Sequence, residues 1–153
     1  MTSRERLLCV LRGDIPDCVP VCLDISNMIP ARLTGKPFWD IYVYKNPPLW
    51  KAYIDAIKRF DIDGGFELYQ FGDLFGDLGQ EWIDKIVLKG NLHTIEVMLR
   101  GSVDDVISAS KKAIDDAAKG GRFILSTGDQ CGRDTPDKNL RAMVETARTY
   151  DRY

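Results

Sequence analysis

No apolar run among these 153 residues approaches the ~20 residues that a helix needs to cross a bilayer, so no membrane span is expected. Met1 to Arg6 carry charge with no apolar stretch behind them, which is not the pattern of a secretory signal. The expected location is the cytoplasm. No charge of one sign dominates: 21 Lys and Arg face 23 Asp and Glu, a formal net charge of −2. Such a balance does not point to a polyanion-binding surface, and nucleic acid is not an expected partner. The four cysteines (Cys9, Cys18, Cys22, Cys131) lack CxxC spacing and read as free thiols in a reducing compartment. Gly64-Gly65 and Gly120-Gly121 are lone doublets, not phosphate loops; turns leading into strands explain them. Histidine occurs once, at His93.

What is present reads as one soluble domain: 44% of residues are hydrophobic and 29% charged. Thr2 and Glu5 have capping-box spacing, which predicts a helix over 3–12 ended by Gly13. Val21–Ile25 alternates as a first strand. Ile29–Leu33 predicts a helical turn broken at Gly35–Pro37. Pro47 and Pro48 open a helix to Phe60, with Trp50, Tyr53, Ile54, Ile57 and Phe60 at helical spacing. Gly65–Phe71 reads as a strand, Gly72–Asp84 as a glycine-rich acidic connection, and Lys85–Leu92 as a short buried strand. Ser102 and Asp105 predict a helix to about Lys119, with Val103, Val106, Ile107, Ser110 and Ile114 on one face. Phe123–Leu125 is another strand, and Thr135-Pro136 starts a last helix with Leu140, Met143, Val144 and Ala147 inward. Trp39, Trp50 and Trp82 are expected as core or helix-face aromatics, and Lys111-Lys112 with Asp115-Asp116 as a solvated helix face. Apolar strands separated by amphipathic helices imply a parallel sheet covered by helices.

Three segments carry a family resemblance. Thr2–Leu8, continuing through Gly13-Asp-Ile-Pro-Asp-Cys-Val-Pro20, is similar to an opening helix and a G-x-x-P-D-R-x-P lead into a first strand. Val87-Leu-Lys-Gly-Asn-Leu92 is similar to a seventh barrel strand. Gly120-Gly-Arg-Phe-Ile-Leu-Ser126, with Gly128 and Thr135-Pro-x-x-Asn139-Leu140-x-Ala142-Met143, is similar to an eighth strand and closing helix. Together they resemble the superfamily of uroporphyrinogen decarboxylases and corrinoid (cobalamin)-dependent methyltransferases. The resemblance implies a TIM-type (β/α)8 barrel, of which this chain, at less than half the usual length, carries the two ends. The expected fold is α/β: a half barrel of four parallel strands matching strands 7-8-1-2, helices outside. Residues 1–71 form its N-terminal part, 72–84 the seam and 85–153 its C-terminal part, in one domain. Strands eight and one pair in a closed barrel, so both chain ends should meet along one ladder. The outer strands would keep unpaired edges that recruit other chains, so a homodimer is expected.

Barrel enzymes hold their chemistry at the C-terminal strand ends. On the barrel reading these ends bring Asp24, Glu67, Asn91 with His93, and Asp129 to one mouth. Asp24, Glu67 and His93 are the candidate catalytic groups, His93 as acid/base or donor, or as a loop histidine bonded to backbone. Asn91 and Arg32 are candidates for substrate binding. Asp129 stands where the resemblance places Gly-His-Gly in decarboxylases and a zinc-ligating Gly-Cys in methyltransferases. It and Cys131 are the metal candidates, with zinc the implied metal; a solvated loop carboxylate is the plain reading of Asp129. The Arg-Gln-Ala-Gly-Arg-Tyr motif of true decarboxylases is replaced by Asp24-Ile-Ser-Asn-Met-Ile-Pro-Ala-Arg32. A porphyrinogen with eight carboxylates needs concentrated positive charge, whereas this mouth reads as acidic. The methyltransferase or demethylase branch fits better. It implies a small methylated substrate and a corrinoid protein or thiol as methyl acceptor. The alternative is a non-catalytic half barrel that associates with itself or a partner.

Overall fold

The computed structural model describes residues 1–64 and 87–150. Helix α1 spans Ser3–Arg12, and both halves of its capping box form. The Thr2 hydroxyl accepts from the Glu5 N–H at 3.2 Å, and the Glu5 carboxylate accepts from the Thr2 N–H at 2.8 Å. Those Thr2 bonds hold the Glu5 carboxyl below its ordinary pKa. Gly13 closes the helix at φ 87°, its N–H reaching the Cys9 and Val10 carbonyls. A Cβ there would stand 2.6 Å from the Arg122 guanidinium, the movable end of a flexible side chain, so it is the left-handed conformation that calls for glycine.

Helices α2 (Met28–Leu33) and α3 (Phe38–Tyr42) flank the expected break at Gly35–Pro37; α3 carries too short a pattern to have been anticipated. Helix α4 spans Leu49–Phe60 after Pro48. Its buried stripe is the expected one in part: Phe60 is buried and Tyr53 and Ile57 pack against the core, but Ala52 and Ala56 face inward where Trp50, 66% exposed, and Ile54, on the surface, were expected. Trp39 is likewise 65% exposed, so two of the tryptophans are surface aromatics; Trp82 lies outside the described residues. The physical reason is spacing. The i, i+4, i+8 row of two alanines and a phenylalanine lets α4 approach α2 closely, which a tryptophan at that interface would prevent.

Strands β1 (Leu88–Leu92) and β2 (Phe123–Thr127) pair in parallel, from Leu88 opposite Phe123 to Leu92 opposite Thr127. On the other side of β2, Val21 forms a parallel bridge with Leu125. The Leu125 N–H donates to the Pro20 carbonyl at 2.9 Å, and the Cys22 N–H donates to the Leu125 carbonyl at 3.0 Å. The spatial order is therefore β1, β2, then the segment around Val21, which brings the two ends of the chain together. The expected strand Val21–Ile25 is corrected to this single bridge. The Cys22 carbonyl accepts from the Ser126 hydroxyl at 2.8 Å, and the Asp24 carbonyl from the Cys131 N–H at 2.8 Å. The Asp24 carboxylate folds back onto the Ser26 N–H at 3.0 Å. Side-chain and loop donors thus replace the backbone ladder after one step.

The architecture is α/β with a two-stranded parallel sheet among the described residues, not four strands. The expected strand Gly65–Phe71 and the seam at 72–84 lie outside the described residues. Helix α5 (Val103–Ala117) starts from a second capping box, Ser102 with Asp105, and buries Val106, Ser110, Ala113 and Ile114. Helix α6 (Asp137–Thr149) buries Leu140, Met143, Val144 and Ala147 as its spacing predicted. Between β1 and α5, Thr94–Leu99 forms a π-helical turn that sequence periodicity did not indicate. The core gathers Val21, Leu23, Ile25, Leu125, Leu140 and Met143 between sheet and helices. Among the described residues no helix is long and apolar enough to cross a membrane.

Val21 is held from its second side by Asp63. The Asp63 N–H donates to the Val21 carbonyl at 2.9 Å, and the Val21 N–H donates back to the Asp63 carboxylate at 2.9 Å. That carboxylate has no solvent exposure and also accepts from Arg6 at 2.6 Å and Arg148 at 2.8 Å. Arg6 continues to Asp17 at 2.7 Å, which holds the Asp17 carboxyl well below the usual carboxylate range. One buried anion thereby joins α1, α6 and the Val21 segment.

Candidate functional site

The C-terminal ends of β1, β2 and the Val21 segment open on the same side. The loop after β2 closes over them: the Gly128 N–H donates to the Leu92 carbonyl at 2.9 Å, and Cys131 is bonded to Asp24 as described. Parallel strands force this arrangement, because every strand then ends at the same edge. Asp24 is half-buried, and Asn91 is exposed on β1 opposite Ser126. Glu67 lies outside the described residues.

His93 follows β1 and serves as the N-cap of the π-helical turn. Its Nδ1 accepts from the Ile95 N–H at 3.3 Å and the Glu96 N–H at 3.2 Å. Nδ1 is therefore unprotonated in the neutral ring, and Nε2 carries the proton. The ring is exposed and offers an Nε2–H donor. Behind the turn, the buried Asn139 side chain donates to the Met98 carbonyl at 3.0 Å and the Gly101 carbonyl at 2.9 Å. Asn139 thus fixes the turn, and with it His93, onto α6.

Asp129 and Cys131 occupy different environments. The Asp129 side chain is exposed and accepts from the Gln130 N–H at 2.7 Å. Cys131 has no solvent exposure. Burial pushes its thiol up to about 12; the Asp24 carboxylate adds to this, and the Thr127 and Thr135 hydroxyls oppose it. Those two hydroxyls make no hydrogen bond of ordinary geometry, so their pull is weak and burial wins. Among the described residues no three His, Cys, Asp or Glu side chains stand close enough to share a metal ion. Asp129 and Cys131 do not by themselves fit a zinc site.

Cys22, buried and likewise pushed up to about 12, belongs with Cys131, whereas Cys9 and Cys18 are half-buried. A native thiol titration at pH 8 should show Cys18 reacting, and Cys9 more slowly because burial and then Asp14 push its thiol up, while Cys22 and Cys131 react only on unfolding. The sign of the linked pH effect follows. An unfolded thiol ionises near 8.5 and these two do so near 12. Their contribution is unchanged at neutral pH, and stability falls as pH rises above about 8.5. Rapid native labelling of Cys131 would show that the mouth opens readily.

Arg32 donates to Asp137 at 2.7 Å, and Arg59 reaches the same carboxylate at 3.4 Å. Arg32, Lys36 and Arg133 together line a small cleft beside the mouth, with Met28, Ala31 and Phe38 as its apolar wall. Lys36 and Arg133 were not expected from sequence, and the acidic reading of the mouth is incomplete without them. Arg133 lies in the loop that follows β2, between Gly132 and Asp134, and Lys36 in the break between α2 and α3. For Arg133 the position after a strand was the available signal; Lys36 had none.

The described residues thus form an α/β arrangement in which a parallel strand pair is bridged to the Val21 segment and polar groups lie where the strands stop. The sequence profile described as uroporphyrinogen decarboxylase (URO-D) matches residues 72–150, 79 of the 153 residues, and the chain belongs to that family. It is similar to the methylcobamide:CoM methyltransferase MtbA of Methanosarcina mazei, 37% identical over 140 residues that cover 78% of this chain and 39% of that protein. The methylcobamide:CoM methyltransferase MtbA of Methanosarcina acetivorans is 27% identical over the same coverage. The chain thus spans about two fifths of the length of these relatives.

Proposed function

We propose that this chain is a URO-D-family protein of the methyltransferase branch, and that its mouth binds a small methylated substrate or thiol, with a corrinoid protein as methyl partner. The observation that carries this reading is the 37% identity to a methylcobamide:CoM methyltransferase. It is supported by the absence of the decarboxylase arginine pair after the first strand, where Asp24 to Arg32 stand instead. In this reading the chain is one domain, its two barrel parts 1–71 and 85–153 joined across the seam at 72–84. Asp24 and Glu67 supply the acidic side of the mouth, and His93 a donor through Nε2. Asn91 and Arg32 orient the substrate. Asp129 and Cys131 stand where the resemblance puts a metal ligand; since they do not fit zinc by themselves, no step is derived through a metal.

A second reading is favoured by the 39% coverage of the relatives: a non-catalytic half barrel that self-associates or binds a partner. One assay separates the two. The purified chain is mixed with methylcobalamin and coenzyme M, and loss of the cobalt–carbon absorption band is followed. The enzyme reading expects a rate above the thiol-only control that falls at least tenfold in Asp24→Asn, an effect on the order of a lost charge-assisted contact. A rate equal to the control at saturating chain would leave the binding-module reading.

A further inference from the structure

Around α3 and the start of α4 the chain turns its largest apolar side chains to solvent. Trp39 and Trp50 are 65% and 66% exposed, and Tyr42 and Tyr44 are 54% and 73% exposed. The two helices share one small core. Ile41 of α3 and Ala52 of α4 are buried together with Ala31, and Phe38 and Leu49 pack against them. The inward positions of both helices are therefore taken by smaller residues, and the large aromatics stand outside.

The segment that presents them is held in place. The Trp39 carbonyl accepts from the Val43 N–H at 2.8 Å and the Tyr44 N–H at 3.0 Å, and the Asp40 carbonyl accepts from the Asn46 N–H at 2.8 Å. The Lys36 ammonium donates to the Asn46 carbonyl at 3.0 Å. Between Tyr44 and Asn46, Lys45 is kept at φ 55°, a left-handed conformation that is unfavourable for a lysine. A surface fixed in advance loses little freedom on binding.

Area and charge select the occupant. At roughly 150–250 Å² for each aromatic side chain, those exposures leave about 400–650 Å² of aromatic surface open on one copy. The largest apolar patch on a typical monomer measures about 300–600 Å², and a standard interface takes about 800 Å² from each partner. Val43 and Ile54, also exposed, bring this face close to that second figure. Its charges have both signs: Lys45 and Lys51 stand with Asp40 and Asp55 on the same two elements. Among the described residues none of these four forms a salt bridge. Two copies related by a two-fold axis present one patch to itself, so the lysines of each can meet the aspartates of the other. An anionic lipid surface would instead be repelled by Asp40 and Asp55.

The geometry points to a two-fold interface between two copies of this chain, built on the outer faces of α3 and α4, with Trp39, Tyr44 and Trp50 as its anchors. Aromatic anchors of this kind dominate the binding energy of protein interfaces. The association expected from unpaired strand edges would use β1 instead, so the two modes are separable. Neither reading of the mouth is needed for this interface.

Sedimentation equilibrium of the full chain between about 1 and 100 μM, the range of weak interfaces near the lower size limit, should show the mass rising reversibly from one copy to two. Trp39→Ser and Trp50→Ser remove exposed side chains, so circular dichroism should not change. Each should raise the dimer Kd by about tenfold or more, as truncating an anchor does. Lys112→Gln, an exposed change on α5, should dimerise as the wild type does. Acrylamide quenching of tryptophan fluorescence in the wild type should fall as the dimer forms, a readout that needs no variant. The mass of a single copy at the highest concentration would overturn the interface. A dimer equally tight in both serine variants, with quenching unchanged, would assign the contact to another surface such as the β1 edge. A single copy that co-sediments with phosphatidylserine vesicles would assign the face to lipid, and either result overturns the proposal.

Discussion

Replacing Asp63 with alanine should lower the folding stability of this chain by about 3–5 kcal/mol, the usual cost of removing one partner from a buried ion pair. The Asp63 carboxylate is fully enclosed and accepts from Arg6, Arg148 and the Val21 N–H. Alanine would leave Arg6, itself 9% exposed in its side chain, without its buried anion. Arg148 and the Val21 amide would lose their acceptor at the same time. Arg6 is further tied to Asp17, so part of its charge stays compensated, which puts the loss nearer the lower figure. Asp63→Asn keeps an acceptor for the Val21 amide but not the charge, and should cost less. Urea unfolding with an unchanged m-value is the measurement. Since domains of this size are stable by only about 5–15 kcal/mol, the alanine variant should melt well below the wild type. A loss under about 1 kcal/mol would mean that the carboxylate is solvated and that α1 and α6 are not joined through it.

Asp63 also shows where sequence reading stops. Its three partners lie 57, 42 and 85 residues away, and nothing local marks an aspartate in a turn as the anchor of two arginines. The helices were legible because their signals are local. Thr2 with Glu5 and Ser102 with Asp105 satisfy backbone amides within one turn, whatever the tertiary context. The inner face of α6 was legible from periodicity alone, because Leu140, Met143, Val144 and Ala147 are the large or apolar members of an otherwise charged helix. The same reasoning placed α4 correctly but misjudged part of its inner face. Trp50 and Ile54 are the more hydrophobic residues, yet close helix packing selected the alanines. Packing distance is a property of two elements, and one sequence segment does not carry it.

The site was legible in the same partial way. The apolar runs marked β1 and β2, but it was the barrel implied by the family resemblance that placed Asp24 and Asn91 at a common edge, and the run at Val21–Ile25 proved to be a single bridge. That His93 bonds to backbone was among its expected readings, and it does; the π-helical turn it caps was not legible, because such a turn has no recurring apolar spacing and is held by Asn139, 46 positions further along the chain. Arg32, Lys36 and Arg133 come from segments whose proximity depends on the chain ends meeting. Their convergence is a consequence of topology, not of any motif.

That meeting of the ends is what a substitution at Leu125 probes most directly. Leu125→Ala should cost about 2–5 kcal/mol, the range for truncating a large buried aliphatic residue. Its side chain is fully buried in the main core, while its backbone bonds Pro20 and Cys22 on one side and it stands opposite Gly90 of β1 on the other. The neighbouring Ile124 faces the other side of the sheet, against Val10 and Cys22, so Ile124→Val should cost only about 0.5–1.5 kcal/mol. Hydrogen exchange adds what stability alone does not show. The Leu125 and Cys22 amides both donate across the bridge, so they should exchange together, at the free energy of global unfolding. In Leu125→Ala both should accelerate by the same factor, set by the measured loss of stability. A Cys22 amide that exchanges freely while Leu125 stays protected would separate the N-terminal part from β2. The mouth would then lose Asp24, and the cleft would lose two of its three cations.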